Sequence, residues 1–346
     1  MSLWIIDKQD IPDFVSHMMA DYRVVGPKAK GPQFAFGQIE EPADLRLDYN
    51  TSILPPKKYL QPPEERMMTF RRAGKTAIEP VIEAEPTVIL GIHTCDLHAM
   101  RVLDAAFSQG YPDAHYLKRR RQTLFVSIEC LEPCDEHAFC KSMGTLTASE
   151  GYDLHLTDLV ESYSVDVGSE EGKALLEKYG TARPATEADI QRLNKVLGAK
   201  WPRFPYKLEF DVDELPALMN QSYDSPVWDE LAEICLACGT CTMVCPTCFC
   251  FNVYDNVELN LQDGERRRRW DSCMLDEFAS VAGGENFRQA QAARLRHRFL
   301  RKGRYLMKKY EALGCVGCGR CARLCLVDIS PVNVFNKLHR ARVKEV

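Results

Sequence analysis

Along the first 200 residues, short β-branched apolar runs alternate with stretches whose apolar positions recur every three or four residues. Residues 87–92 read as a strand, and residues 96–107 follow with the apolar spacing of a helix. Residues 123–129 predict a second strand, and residues 152–157 and 163–167 two shorter ones. Residues 169–179 open with Ser169 and two glutamates, as a helix start should. From about Asp211 the pattern changes to helices and cysteine loops, with helical periodicity over residues 213–221, 228–234 and 287–313. Pro202, Pro205 and Pro216 punctuate the passage, so a boundary is expected near residue 205. This predicts a mixed α/β domain over 1–205 and a helical domain over 206–346.

A chain of 346 residues with 45% hydrophobic side chains can bury a sizeable core. Its fifteen cysteines exceed what packing requires, and they are clustered. Secreted disulfide scaffolds are short and carry an export signal, whereas residues 1–15 place Asp7, Lys8, Asp10 and Asp13 where an apolar segment would be needed. The best apolar run, 88–92, is strand-sized, so no membrane span is expected. A cytoplasmic setting follows, where clustered thiols mean metal or redox chemistry.

The cysteines of the second half form two copies of one run: Cys235, Cys238, Cys241 and Cys245 followed by Pro246, then Cys315, Cys318, Cys321 and Cys325 followed by Leu326. Spacings of two, two and three are those of bacterial ferredoxins, in which three near thiolates wrap one [4Fe-4S] cluster and the fourth ligates the other. Two such clusters are expected, with Cys325 completing the first set and Cys245 the second, although 80 residues separate Cys235 from Cys315. Gly239, Gly317 and Gly319 suit the tight turns this wrapping demands. The fold class is therefore α+β, with the C-terminal part a helical dicluster ferredoxin-like domain. Paired C-x2-C motifs also bind zinc, but zinc sites separate two pairs by a longer loop. Cys248, Cys250 and Cys273 lie between the runs, as ligands or as pocket lining.

The first half contributes Cys95, Cys130, Cys134 and Cys140, enough for a third [4Fe-4S] cluster. Cys95 follows the 87–92 strand and Cys130 closes the 123–129 strand, so adjacent parallel strands bring both thiols to one sheet edge, where α/β folds place their sites. His93, His98 and His137 are nearby, without a predicted role as ligands.

Charge is divided unequally. Residues 261–346 hold 19 Lys and Arg against nine acidic residues, leaving the first 260 residues net acidic. Two basic runs, 118–121 and 266–269 before Trp270, read as solvated faces or docking patches, and the acidic first half argues against nucleic acid. The basic helix after residue 287 reads as packed on one side with a charged outer face. No G-x-G-x-x-G follows a strand and no G-x-x-x-x-G-K-[ST] loop occurs, so nicotinamide, flavin dinucleotide and ATP find no recognisable cradle. No catalytic residue is predicted.

At these residues the chain resembles a family of iron-sulfur subunits found in anaerobic sulfite reductase and, as the beta subunit, in sulfhydrogenase-type [NiFe] hydrogenases. The resemblance runs over most of the chain. It is carried by Cys95-Asp96 with Ala99-Met100, by Cys140-x-Ser142-Met143-Gly144-Thr145, and by Cys245-Pro246-Thr247-Cys248-Phe249-Cys250. Trp270-x-Ser272-Cys273 and Cys318-Gly319-Arg320-Cys321 extend it. It implies a hetero-oligomer in which this protein relays electrons, with an FAD- and NAD(P)-binding reductase subunit on one side and a catalytic or further iron-sulfur subunit on the other. It also implies the third cluster. Where the family often shows Cys-Phe-Cys before Ser-Met-Gly, this chain reads Ala138-Phe139-Cys140, and Cys134 is the substitute ligand. Two alternatives stay open: catalysis by this protein itself on a small sulfur compound at the N-terminal cysteines, and a zinc-stabilised interaction module.

Overall fold

The computed structural model describes residues 3–72, 74 and 76–345. Among these, strands β1 (Leu3–Asp7), β2 (Arg23–Lys30), β3 (Gln33–Gln38), β4 (Glu64–Arg71), β5 (Ala77–Pro80) and β6 (Thr87–His93) come first. They are followed by β7 (Thr123–Ile128), β8 (Leu154–Asp158), β9 (Ser162–Val167), β10 (Arg183–Pro184), β11 (Phe251–Val257) and β12 (Asp263–Trp270). Eight of them make one sheet in the order β10-β1-β9-β8-β7-β6-β2-β3, and the rest a second in the order β11-β12-β4-β5.

The centre of the large sheet, β2, β6, β7 and β8, is parallel, and its flanks are antiparallel. Strand β6 is buried along its whole length, as its Val88, Ile89, Leu90 and Ile92 require of a strand covered on both faces. Val88, Leu90, Val126 and Ile128 face helices Ile11–Met18 and Glu170–Tyr179 through Val15 and Leu175. Ile89, Ile92 and Phe125 face helices Thr94–Ser108 and Ala114–Arg121 through Met100 and Tyr116. Each such side chain contributes about 1.5–3 kcal/mol on burial. Ser169 caps its helix by accepting from the Gly172 N–H, as its position predicts.

In the second half, Leu218, Trp228, Phe299 and Phe335 join helices Leu215–Gln221, Val227–Ile234, Gln291–Leu300 and Pro331–Glu345 around one core. The helix expected over 287–313 is shorter and interrupted: α over Gln291–Leu300, a π turn over Arg301–Tyr305, then α over Leu306–Tyr310. The wide turn lets the Lys302 carbonyl accept from the Gly314 N–H at 2.8 Å, outside the helix. Glu311, in the left-handed region, ends it.

Hairpin β11–β12, absent from the helical expectation, lies between the two cysteine runs and pairs through β12 with β4 of the first half. The small sheet thus joins segments from both sides of residue 205. Strand β12 is mostly charged and carries no apolar alternation, and β11, though Phe251, Val253 and Val257 alternate, is almost wholly exposed. The two basic runs serve it. Arg268 is buried against Glu65 at 2.6 Å and also pairs with Asp113, while Arg119 reaches the other Glu65 oxygen at 2.6 Å. The solvated-face reading therefore fails for Arg119 and Arg268, because buried carboxylates of the acidic half need partners.

A second junction involves the cysteines. Arg320, next to Cys321, donates both terminal nitrogens to the carboxylate of Asp96, next to Cys95, at 2.7 Å each. Both residues are essentially unexposed, and Arg320 also donates to the Ser52 carbonyl. Removing one member of such a pair strands a buried charge, at a cost of about 3–5 kcal/mol. Asp96→Ala is expected to lower the thermal midpoint of the anaerobically prepared protein accordingly. Lys178→Ala, which breaks an exposed, solvent-screened pair with Asp21, is expected to leave the midpoint nearly unchanged.

Candidate iron-sulfur centres

Each ferredoxin run folds the same way: an extended cysteine, a turn, and a four-residue helix, Thr240–Met243 in the first and Arg320–Arg323 in the second. Gly239, Gly317 and Gly319 all have positive φ, at 78°, 67° and 75°. At the last two a β-carbon would also collide with the backbone of Cys140 and His137, at 2.7 Å in each case. The second run therefore lies directly on the 137–140 loop, where the Phe139 N–H donates to the Gly317 carbonyl at 2.8 Å.

The runs exchange their fourth cysteines. Cys235, Cys238 and Cys241 share a cavity with Cys325, walled by Met274, Leu295 and Ile329. Cys315, Cys318 and Cys321 share another with Cys245, walled by Phe139, Pro246 and Val316. Four thiols in an apolar setting, with amide N–H groups donating to Cys235 and Cys325 sulfur at 3.3 Å, are a donor set that fits a [4Fe-4S] cluster in each cavity. Among the described residues no three Cys, His, Asp or Glu groups converge closely enough to hold a single metal ion. The first cavity lies near the surface, where Cys238 and Leu326 are exposed, and the second is deeper.

Arg298 lines both cavities, and Lys302, one turn on, lines the second. Both are almost fully buried, and Arg298 Nε has no hydrogen-bond partner among the described residues. The Lys302 ammonium donates to Cys245 Sγ at 3.1 Å, Thr247 Oγ1 at 2.8 Å and Cys248 Sγ at 3.2 Å. Burial opposes the charge of each, but the surrounding cysteines outweigh it and hold both more basic than usual. The charged outer face expected of this helix is thus corrected for these two residues. Arg294, Arg298 and Lys302 are spaced by four, a single inward stripe that the sequence already contained.

The N-terminal cysteines stand where the sequence predicts the sheet edge. Strands β6 and β7 are adjacent and parallel, with His93 opposite Ile128, so Cys95 and Cys130 emerge side by side. Burial pushes the Cys130 thiol well up, and neighbouring Cys134 and Cys140 push it further. Burial likewise raises Cys134 to about 12 and Cys140 to about 11, and Cys318 of the second run acts on both. Cys95 packs with Val316 and Cys318. His93 stacks on Tyr49 at 4.2 Å, and burial depresses it to about 4, so it is neutral. His98 bonds to the Thr147 carbonyl.

Residues 234–329 match the family model of the 4Fe-4S dicluster domain. The chain is also similar to sulfhydrogenase 2 subunit beta of Pyrococcus furiosus, 33% identical over 333 residues, 96% of this chain and 97% of that one. No solved structure matches. No helix among the described residues is long and apolar enough to cross a membrane. All eight cysteines of the two crossed sets fall inside the dicluster match, and the likeness extends across both halves of the chain. The chain belongs to the sulfhydrogenase-type iron-sulfur subunit family, as an electron-transfer subunit with two [4Fe-4S] clusters.

Proposed function

We propose that this subunit relays single electrons inside a cytoplasmic hetero-oligomeric oxidoreductase of the sulfhydrogenase type. On one side stands an FAD- and NAD(P)-binding reductase subunit, and on the other a catalytic or further iron-sulfur subunit. The arrangement that supports this is a series of three thiol sets: the first crossed cavity, the second, which shares Arg298 with it, and the N-terminal quartet, whose Cys95 packs on Cys318 and whose Cys140 backbone meets Gly317. A [4Fe-4S] cluster supplies reversible one-electron transfer when bound.

Cys235, Cys238, Cys241 and Cys325 hold the outermost cluster, beside exposed Leu236 and Leu326 where a partner approaches. Cys315, Cys318, Cys321 and Cys245 hold the middle one, and Cys95, Cys130, Cys134 and Cys140 a third. The chain divides near residue 205 into a unit bearing the quartet and a unit bearing the pair. Arg298 compensates the added negative charge at both neighbouring sites, and the apolar walls keep water out.

Anaerobic purification with iron and sulfide analysis tests the ligand sets. The intact chain is expected to hold at least about twelve irons, and Cys130→Ala/Cys134→Ala about four fewer. A fully loaded chain with fewer than about eight would overturn the relay. Arg298→Met is expected to lower the midpoint potentials of the paired clusters by on the order of 50 mV. Its charge stabilises the more negative reduced state by ~1 kcal/mol or more at short range in a buried site. Redox titration followed by EPR reads this shift.

A further inference from the structure

Three cysteines remain outside the relay. Cys248 and Cys250 follow Cys245 directly, and Cys273 comes from beyond hairpin β11–β12. The hairpin register closes this gap. Phe251 is opposite Trp270, the next pair outward is sealed by the Asp271 N–H donating to the Cys250 carbonyl at 3.0 Å, and Cys273 lies two residues further. The Cys250 and Cys273 thiols are neighbours, as are those of Cys245 and Cys248. Cys273 is buried at 3% exposure, and the other two are partly buried.

Two buried lysines accompany this trio. Lys302 bridges Cys245 and Cys248 sulfur. Lys57, 2% exposed and carried by the short turn Pro56–Tyr59, donates to the Cys248 carbonyl and sits over the Trp270 ring at 4.3 Å. Among the described residues neither has a carboxylate partner within salt-bridge distance. A buried ammonium costs several kcal/mol unless an anion answers it, and protonated thiols carry no charge. Lys302 also lines the middle cavity through Cys245, so Lys57 is the cation that thiols merely packed together would leave unanswered. A sulfur-ligated anionic group at the trio would answer these charges.

We propose that Cys248, Cys250 and Cys273 ligate an additional iron-sulfur cluster whose negative charge is answered by Lys57 and Lys302. Three protein thiolates leave one position of that cluster for a ligand other than cysteine. The Cys245–Lys302–Cys248 contact sets it beside the middle site of the series, so the path forks there, one arm towards the N-terminal quartet and the other towards the hairpin. The fork rests on the relay reading, whereas the site does not.

The test compares the full anaerobically reconstituted chain with Cys250→Ala/Cys273→Ala. The variant is expected to lose about four irons and four sulfides, together with one EPR signal distinct from those abolished by Cys235→Ala or Cys318→Ala. Unchanged iron and an unchanged spectrum would overturn the site while leaving the relay intact; a chain that binds iron only at the trio would do the reverse. Lys57→Met keeps every thiol and decides the matter should the double variant fail to fold. It is expected to move the midpoint of that same signal to a more negative potential, and no movement of any signal also overturns the site.

Discussion

The paired charges of Asp96 and Arg320 hold the molecule together at its most consequential point. Each sits one residue from a cysteine, Asp96 after Cys95 and Arg320 before Cys321, and the two are fully buried with both terminal nitrogens donating to the carboxylate. Such a pair is weak support for net stability but strong support for register, because sliding either partner leaves an unanswered charge in the interior. It therefore sets the second ferredoxin run against the edge of the parallel sheet. The close approach of Gly317 and Gly319 to the 137–140 backbone and the hydrogen bond from Thr145 to the Val316 carbonyl at 2.6 Å follow from that register.

Buried positive charge recurs wherever thiols gather. Arg298, Lys302, Arg320 and Lys57 are all nearly inaccessible, and each lies against cysteines. Burial, with Lys302 adding to it, pulls Lys57 down to about 8, which shows how costly its charge is there. Arg320 is answered by the Asp96 carboxylate, whereas Arg298, Lys302 and Lys57 have no carboxylate partner among the described residues and suit anionic clusters, whose potentials such charges tune. The acidic first half and basic last third seen in the sequence thus meet inside the molecule, through Asp96 with Arg320 and Glu65 with Arg268, as much as on its surface.

The small sheet plays the complementary role of a clasp. Its β12 strand carries the arginine run, and pairing with β4 returns the segment between the ferredoxin runs to the first half of the chain. That return keeps Cys250 and Cys273 together and lets Lys57 and Gln61, from the first half, reach the carbonyls of Cys248 and Phe249.

Much of this was legible residue by residue. The apolar run of β6, the helix after it and the capped helix at Ser169 follow from local periodicity and capping chemistry, and the spacing of the two cysteine runs announces paired clusters, because cubane ligation is a short-range demand on the chain. The hairpin was not legible, since β12, a run of charges held by ion pairs and by a distant partner, carries no apolar alternation. Nor was the burial of Arg298 and Lys302, whose spacing of four marks a stripe without saying what it faces. Which cysteines share a cavity, and which lysine answers them, depends on contacts between residues tens to hundreds of positions apart. Those arise only when the sheet edge, the helical core and the hairpin close on one another, and no local signal in the chain encodes them.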